Sequence, residues 1–408
     1  MFDRQRCPDP LAGGIRQPDL SPGASHVDVP LLDLCAQDAE VGAEVRAAVA
    51  EVLRSQQLVL GPHVARFEEA MAAYCGVPHA VGVNSGTDAL ALCLNALGVG
   101  PGTRVLTTPF SFFATASTIA RLGARPVFAD VDPRTLNLDP AAAADALERA
   151  PGPIAGMVVV HLFGRLADMR ALGALAARHG LWLLEDAAQA VGARADGRRA
   201  GAFGRAGALS FYPTKNLGGL GDGGMLLTAD AGLAERVRCD RVHGQAAPYV
   251  HEALGLCSRL DAVQAAVLRA KLPHLDRWNA RRRTVAGWYA THFAARGLAG
   301  VANAPLVPPD LPDPGGAHVF HVYCVRARTR DALQRHLAAA GIGTQVYYRV
   351  PLHRQTPLVA CSESPSGVPE AERAAGDVLA LPMFPQLTEE HVVRVVDAVA
   401  SFYRGGAD

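Results

Sequence analysis

Short apolar segments alternate with longer amphipathic segments through the first two-thirds of the chain. Seven apolar segments have the length and residue types of buried strands, and they are residues 80–83, 104–107, 126–129, 157–161, 182–184, 208–211 and 225–228. Stretches with helical spacing of apolar residues separate several of them, including 141–150, 169–179 and 233–238. This alternation predicts an α/β fold with a mostly parallel sheet covered by helices on both faces.

The pattern changes after Ser258, where a helical spacing leads into a proline-rich stretch at 305–314. The sequence therefore predicts a large domain over residues 28–277, which ends in a connecting helix. A smaller C-terminal α+β domain is predicted over residues 278–408. Residues 1–27 are rich in Pro, Gly, Asp and Arg and have no hydrophobic period, so they are predicted to form a mobile extension.

Composition and charge exclude several classes of function. The chain has 408 residues, of which 50% are apolar, and this is enough to bury a large core. Its 39 basic and 39 acidic side chains balance without long runs of one sign, so neither nucleic acid nor a membrane is an expected partner. No apolar stretch has the length of a membrane span or forms the core of a signal peptide, which predicts a cytoplasmic protein. No Cys or His spacing typical of a metal site occurs, so no metal is predicted.

One lysine lies between an apolar strand and a glycine run. Lys215 is in the segment SFYPTKNLGGLGDGG, residues 210–224, of a chain with very few lysines. Partial burial would lower its pKa and provide the neutral amine that attacks a carbonyl. A surface lysine is the commoner outcome in proteins, but this position favours a reactive amine.

Two further segments complement this amine. Asp186 ends an apolar strand, where open α/β sheets form their ligand crevices, and a carboxylate there needs a cation such as a protonated pyridine nitrogen. It could equally cap the helix that follows. In VNSGTDAL, residues 83–90, a strand gives way to a helix start that can hold phosphate, although the same residues are ordinary caps. Lysine, carboxylate and phosphate site together are what pyridoxal phosphate (PLP) requires.

These segments, in this order, resemble the DegT/DnrJ/EryC1/StrS family of sugar aminotransferases, which are fold-type I PLP enzymes. The resemblance covers nearly the whole chain and includes NSGTDALALCLNALGVGPG, residues 84–102, and TPFSFFATAS, residues 108–117. It implies a fold-type I PLP-transferase and a homodimer with shared active sites. The implied reaction moves an amino group from glutamate or glutamine to a keto group of a nucleotide-linked deoxy sugar. A keto-cyclitol aminotransferase of an aminoglycoside-type pathway and a non-catalytic regulatory protein of this fold stay open as alternatives.

The resemblance also implies roles for individual residues. Lys215 would bind the cofactor aldehyde covalently and move the proton, and Asp186 would pair with the pyridine nitrogen. Gln189 would hydrogen-bond the phenolic oxygen, and Phe112 would stack on the ring unless it belongs to the core. The phosphate would be held by the backbone of three residues and by one hydroxyl, which belong to Gly86, Thr87, Asp88 and Ser210.

Two departures from the family pattern affect the predicted cofactor and substrate sites. Cys257 stands where the family usually has an asparagine that reaches the cofactor phosphate of the neighbouring subunit. A thiol is a poor replacement donor, so cofactor binding could depend more on Ser210 and the helix start, or on a second contact such as Arg259. Tyr347-Tyr348-Arg349 stands where the family commonly has His-Tyr-Pro, and Arg349 could meet an anionic substrate group or point to solvent. The predicted substrate residues are Arg259, Tyr348, Arg349 and His353.

Three residues near these motifs are expected to have structural roles. Phe110 and Phe113 are predicted to belong to the core. His161 ends a buried strand and could approach the cofactor, but a hydrogen-bonded structural histidine is favoured.

Overall fold

The computed structural model describes residues 28–301, 304–311 and 316–405, so the predicted extension over residues 1–27 lies outside the described residues. The strands are β1 (His79–Val83), β2 (Arg104–Thr107), β3 (Arg125–Phe128), β4 (Gly156–Val160), β5 (Trp182–Asp186), β6 (Arg194–Ala195), β7 (Arg198–Arg199), β8 (Ala206–Ser210), β9 (Gly224–Thr228), β10 (Gln245–Ala247), β11 (Val250–His251), β12 (Leu306–Val307), β13 (Tyr323–Ala327) and β14 (Val378–Leu381). The helices are α1 (Leu34–Ser55), α2 (Gly61–Cys75), α3 (Gly86–Ala96), α4 (Ala114–Arg121), α5 (Pro140–Arg149), α6 (Met169–His179), α7 (Ala231–Asp240), α8 (Ala262–Lys271), α9 (Leu275–Ala295), α10 (Arg330–Ala339), α11 (Thr356–Val359), α12 (Pro369–Asp377) and α13 (Glu389–Arg404).

A seven-stranded sheet, with strand order β1-β9-β8-β5-β4-β2-β3, forms the centre of the larger part of the chain. Strand β9 is antiparallel to both of its neighbours, and the other adjacent strands are parallel. All seven predicted strands belong to this sheet, with ends within two residues of the predicted ones. The prediction of a mostly parallel α/β sheet is therefore confirmed.

Helices cover both faces of this sheet, and β9 illustrates the division. Leu226 packs with apolar residues of α3 and α7 on one face. Met225 and Leu227 pack on the other face with Phe67 and Met71 of α2. Because successive side chains of a strand point to opposite faces, a strand buried on both sides must be apolar throughout, and this is why the seven segments are recognisable in the sequence.

A three-stranded antiparallel sheet, β12-β13-β14, lies in the C-terminal part of the chain. Its core includes the stacked rings of Tyr289 and Tyr323, whose centroids are 4.5 Å apart. The predicted boundary between residues 277 and 278 falls in the first turn of α9, and the division into two domains stays a prediction. Within the described residues, no helix combines the length and the apolar character that a bilayer crossing requires.

Of the two phenylalanines predicted to belong to the core, Phe110 and Phe113, only one does. Phe110 is fully buried in the core, as predicted. Phe113 is 36% exposed, so its assignment to the core is wrong. It lies immediately before the first turn of α4, where the chain leaves the sheet edge, rather than on the buried face of the helix.

Candidate active site

Several of the predicted cofactor-binding residues lie at the carboxyl edge of the large sheet. Strand β5 ends at Asp186, and β8 ends at Ser210. Strand β9 runs the other way, so its first residue, Gly224, lies at this edge and pairs with Val83 on one side and with Ser210 on the other. The turn after β1, the end of β8 and the Asp186 carboxylate therefore face one crevice.

Asp186 is held by a buried threonine that the sequence analysis did not single out. Thr115 Oγ1 in α4 donates to Asp186 Oδ2 at 2.7 Å, and the Ala188 N–H donates to Oδ1 at 3.3 Å. Burial raises the pKa of the Asp186 carboxyl group, against the hydrogen bond from Thr115. A buried carboxylate with few donors is ready to pair with a ligand cation.

Lys215 lies in the loop between β8 and β9 and is partly buried. Burial lowers the pKa of its amine from 10.5 to about 8, although the negative charge of Asp186 acts in the opposite direction. The two groups interact electrostatically, as the predicted constellation requires. At neutral pH a larger fraction of this amine is neutral than in a solvated lysine, and the neutral form is the nucleophile.

The start of α3 packs directly against the end of β8. A Cβ atom on Gly86 would lie 2.7 Å from Ser210 Cβ, and one on Gly224 would lie 2.2 Å from the carbonyl carbon of Ser85. These glycines therefore allow the first turn of the helix to approach the Ser210 hydroxyl. The first N–H groups of a helix have no intrahelical acceptor, so the N–H groups of Gly86 and Thr87 and this hydroxyl form a cradle suited to phosphate.

Asp88 has a different place in this cradle from the predicted one. Its N–H donates to the side chain of Ser85, the N-cap residue, at 3.1 Å. Its carboxylate accepts a hydrogen bond of 2.7 Å from Ser258 Oγ, which also accepts from the N–H of Asn84 at 3.2 Å. Asp88 is thus engaged in shaping the turn, and the free backbone donors are those before it.

Gln189 has a fixed amide orientation. Its Oε1 accepts from the N–H of Phe163 at 2.7 Å, so its Nε2 must be the group turned to other partners. Nε2 donates to the hydroxyl of Tyr348 at 3.1 Å. The structure thus links the predicted cofactor residue Gln189 to the predicted substrate residue Tyr348, whose ring also packs edge-on against Phe110.

Phe112 is 57% exposed, so it is not a core residue. Its carbonyl accepts from the N–H of Thr115 at 3.2 Å, which places its backbone next to the threonine that holds Asp186. Its exposed ring is available to stack on a ligand, and this role stays a prediction.

The two remaining substrate candidates of the C-terminal part already have partners. Arg349 donates to Asp331 at 2.8 Å and to Gln334 at 2.7 Å, both on α10, and it is exposed. His353 Nε2 lies 3.0 Å from Glu372 Oε1, while its buried Nδ1 has no hydrogen-bond partner among the described residues. Two orientations were predicted for Arg349, towards an anionic substrate group or towards solvent. Its exposed side chain matches the second orientation.

Arg259 and Cys257 contact each other. Arg259 Nη2 donates to the Cys257 sulfur at 2.9 Å. The thiol is exposed, and it follows the exposed side chains of Leu254 and Leu256. This pair lies on an outer segment of the subunit, and its predicted contact with a neighbouring subunit stays a prediction.

His161 is a satisfied structural histidine. Its Nδ1 accepts from the Ala167 N–H at 3.2 Å, so Nε2 carries the proton and donates to Glu185 at 2.8 Å. Glu185 is fully buried and also accepts three backbone N–H groups between 2.6 and 2.8 Å, from Gly201, Phe203 and Gly204. This network braces the strand end that presents Asp186.

Sequence reasoning missed His321. Its Nδ1 lies 3.2 Å from Asn216 Oδ1, on the residue after Lys215. Burial lowers its pKa well below the ordinary value, and the charges of Lys215 and Arg282 lower it further. The only available signal was a histidine in the strand-like segment HVFHVYCVRA, which did not indicate where the side chain lies.

The chain is similar to known proteins along most of its length. A model of the DegT/DnrJ/EryC1/StrS aminotransferase family matches residues 39–400. A pleiotropic regulatory protein of Geobacillus stearothermophilus is 47% identical over 378 residues, which cover 93% of this chain and 99% of that protein. The dTDP-3-amino-3,4,6-trideoxy-alpha-D-glucose transaminase of Streptomyces venezuelae is 46% identical over 382 residues, 93% of this chain and 97% of that one. Among solved structures, S. venezuelae DesV in complex with a ketimine intermediate matches with a TM-score of 0.86 at 44% identity, covering 93% of this chain and 99% of that chain. The chain therefore belongs to the DegT/DnrJ/EryC1/StrS aminotransferase family, whose members are fold-type I PLP-dependent enzymes.

Proposed function

We propose that this protein transfers an amino group from glutamate or glutamine to a keto group of a nucleotide-linked deoxy sugar. The observation that carries the proposal is that the partly buried amine of Lys215 and the buried carboxylate of Asp186 lie close enough to influence each other's charge. The sugar transaminase of S. venezuelae, 46% identical over nearly its whole length, supports the substrate class. When bound, PLP would supply an electron sink for removal of the proton from the amino carbon.

In this proposal the residues of the crevice bind and orient the cofactor. The Asp186 carboxylate, oriented by Thr115, would pair with the pyridine N–H, because it is the buried anion that needs a cation. Gln189 would act as a donor to the phenolic oxygen, since its own oxygen is already engaged by Phe163. The exposed ring of Phe112 would cover one face of the cofactor.

The cradle and the amine complete the proposed site. The N–H groups of Gly86 and Thr87, with the Ser210 hydroxyl, would hold the phosphate. Asp88 would act indirectly, by fixing the turn through Ser85 and Ser258. The neutral Lys215 amine would attack the cofactor aldehyde and, once released by the amino donor, would move the proton.

The sugar would lie against Tyr348, whose hydroxyl accepts from Gln189 and therefore has its own proton available for a substrate oxygen. His353 and Arg259 are further candidates, and Arg349 is the weakest because Asp331 and Gln334 already occupy its guanidinium. A keto-cyclitol acceptor would use the same chemistry, and turnover with the two classes of ketone would separate them.

We also propose that the protein acts as a homodimer. The hairpin β10–β11 and the segment after it expose large apolar side chains, with Tyr249 94% and Leu254 100% exposed, next to Cys257 and Arg259. Such side chains favour burial against another protein surface. Sedimentation at micromolar concentration should give twice the subunit mass, and Leu254→Asp should shift the distribution towards the monomer.

A non-catalytic regulatory role is the second candidate, and it is supported by the 47% identity to a pleiotropic regulatory protein. Both Lys215 and Asp186 are present in this chain, which favours catalysis over the regulatory role. The discriminating experiment adds PLP to the purified protein and then glutamate, and follows the absorption spectrum. A spectrum of covalently bound cofactor that glutamate converts to that of pyridoxamine phosphate supports the enzyme, whereas a protein that captures no PLP supports regulation.

A further inference from the structure

The chain contains two lysines, and both are at the loop between β8 and β9. Lys215 is part of this loop, and Lys271 contacts it from the end of α8. The remaining basic side chains of the sequence are arginines and histidines. Both ammonium side chains of the protein therefore lie at the same loop, whereas its other permanently charged cations are guanidinium groups. The contacts of Lys271 indicate its role there.

Lys271 binds the loop through its backbone. Its Nζ donates to the carbonyl oxygen of Gly218 at 2.9 Å and to Gln37 Oε1 at 3.2 Å. The side chain is buried, with 7% exposure, and both hydrogen-bond acceptors are neutral. Burying a cation costs free energy that only good hydrogen bonds offset, so this arrangement ties Lys271 tightly to Gly218.

Gln264 holds the same loop two turns earlier in α8. Its Oε1 accepts from the N–H of Leu220 at 2.8 Å. A Cβ on Gly219 would lie 2.6 Å from this oxygen, and one on Gly221 would lie 3.0 Å from Gln264 Nε2. Gly219 and Gly221 therefore allow the backbone to approach the Gln264 amide without displacing it.

Asn279 holds the loop two turns later, in α9. Its Nδ2 donates to the carbonyl of Val191 at 3.0 Å, so its Oδ1 is the acceptor for Asn216 Nδ2 at 2.7 Å. Asn216 Nδ2 also donates to the carbonyl of Val319, which leaves Asn216 Oδ1 to accept from His321 Nδ1. These contacts fix both amides and the tautomer of His321, and they immobilise the residue directly after Lys215.

The three side chains form one row. Backbone angles stay helical from α8 through the 3₁₀ turn Leu272–His274 into α9, and Gln264, Lys271 and Asn279 follow one another along it about two turns apart. They contact the loop at Leu220, Gly218 and Asn216, in reverse order along the chain. The loop therefore runs in the direction opposite to these helices and is held at three successive points.

We propose that Gln264, Lys271 and Asn279 are positioning residues that hold the loop so that Lys215 keeps its place and its degree of burial. The inference rests on the proposed role of Lys215. None of the three needs to touch substrate or cofactor. Loosening the loop would hydrate the amine, raise the pH at which it becomes neutral and slow every step that needs the neutral amine.

The test starts from cofactor-free protein. It compares three variants, Asn279→Ala, Lys271→Met and Gln264→Leu, with the wild type. Hydrogen exchange of residues 212–221 should become roughly 5- to 10-fold faster in each variant, as expected for the loss of a hydrogen bond or two. The pH midpoint for covalent capture of PLP should move from about 8 towards 10.5. Lys271→Met leaves Lys215 as the only lysine side chain, so borohydride trapping followed by mass analysis reports on that residue alone.

Thr284→Ala is the matched control, because Thr284 lies on α9 but is exposed and bonds only its own helix, at Ala280. It should change neither the exchange rate of the loop nor the pH midpoint. Variants that match Thr284→Ala in both measurements would overturn the inference, as would a loss of stability spread over the whole chain with an unchanged pH midpoint. Failure of the wild type to capture PLP at any pH would instead refute the proposed function, and the exchange measurement would still decide whether the row holds the loop.

Discussion

Thr115 Oγ1 donates to Asp186 Oδ2 at 2.7 Å, and both groups are buried at the carboxyl edge of the sheet. The hydrogen bond stabilises the ionised carboxylate, which burial alone would disfavour. Asp186 therefore depends on a neighbour from another element for the charge that its proposed role requires.

Replacing Thr115 with Val should raise the pKa of Asp186 further, because the shape is kept and the donor is lost. The acid limb of the pH–rate profile should then move upward by about one pH unit, since a hydrogen bond to a charged group contributes roughly 1.5–3 kcal/mol. Thr118→Val is the control, because Thr118 is buried on the same helix but donates to the carbonyl of Ala114. An unshifted acid limb in Thr115→Val would mean that this hydrogen bond does not set the charge of Asp186.

The pH dependence of cofactor capture should follow the Lys215 amine. The amine is protonated and unreactive below its pKa of about 8, so the capture rate of the apoprotein should rise through this pH rather than near 10.5. Asp186→Asn should lower the midpoint, because the negative charge of Asp186 favours the protonated amine. Stopped-flow absorbance across pH 6–10 measures both, and a higher midpoint in Asp186→Asn would contradict the assignment.

Gly86→Ala should weaken phosphate binding. Its Cβ would lie 2.7 Å from Ser210 Cβ and 3.3 Å from the Leu209 carbonyl, so the first turn of α3 must move away from β8. We expect the dissociation constant of PLP to rise by on the order of tenfold, since phosphate sites of this kind depend on close backbone approach. Equilibrium dialysis measures it, and Gly287→Ala, at a helical position where nothing lies within 4 Å of the new Cβ, should bind PLP normally.

Tyr348→Phe and Arg349→Ala should differ in their effect on the sugar half-reaction. The Tyr348 hydroxyl accepts from Gln189, whereas Arg349 is bound to Asp331 at the surface. The first change should raise KM for the keto sugar severalfold while the glutamate half-reaction changes less, and the second should leave both within about twofold. The opposite ranking would restore Arg349 as the substrate contact.

Glu185→Gln should destabilise the fold. The carboxylate is fully buried and accepts hydrogen bonds from three backbone N–H groups and from His161. An amide has one oxygen to accept with, so we expect the free energy of unfolding to fall by about 2–4 kcal/mol. Urea unfolding followed by circular dichroism measures the loss, and exposed Glu235→Gln should unfold like the wild type.

The sheet was predictable because its strands are buried on both faces and are continuously apolar. Asp186, Lys215 and Ser210 were also accessible from the sequence, since each lies at or just after the end of such a strand. The polar contacts between these elements could not be predicted from the sequence. Asn216 and His321 are 105 residues apart in sequence, and only the packing of the C-terminal part against the larger sheet brings them within 3.2 Å.

The prediction for Phe113 was wrong for a related reason. Its neighbours are apolar, but composition does not tell on which side of a helix start a ring will lie. Roles carried by the resemblance, such as the contact of Arg259 with a neighbouring subunit, depend on a second chain, and no periodicity within one chain encodes them.

The reversed direction of β9 has a consequence for engineering. Because Ser210 pairs with Gly224, and the Phe211 N–H donates to the carbonyl of Gly223, the stretch that carries Lys215 leaves and re-enters the sheet at adjacent positions. Residues 211–223 therefore form a loop whose two ends are hydrogen-bonded to each other. A chimera that takes these residues from a related enzyme would keep the strand register. Such a graft would function only if Gln264, Lys271 and Asn279 were exchanged with it, so the transplantable unit is discontinuous in sequence.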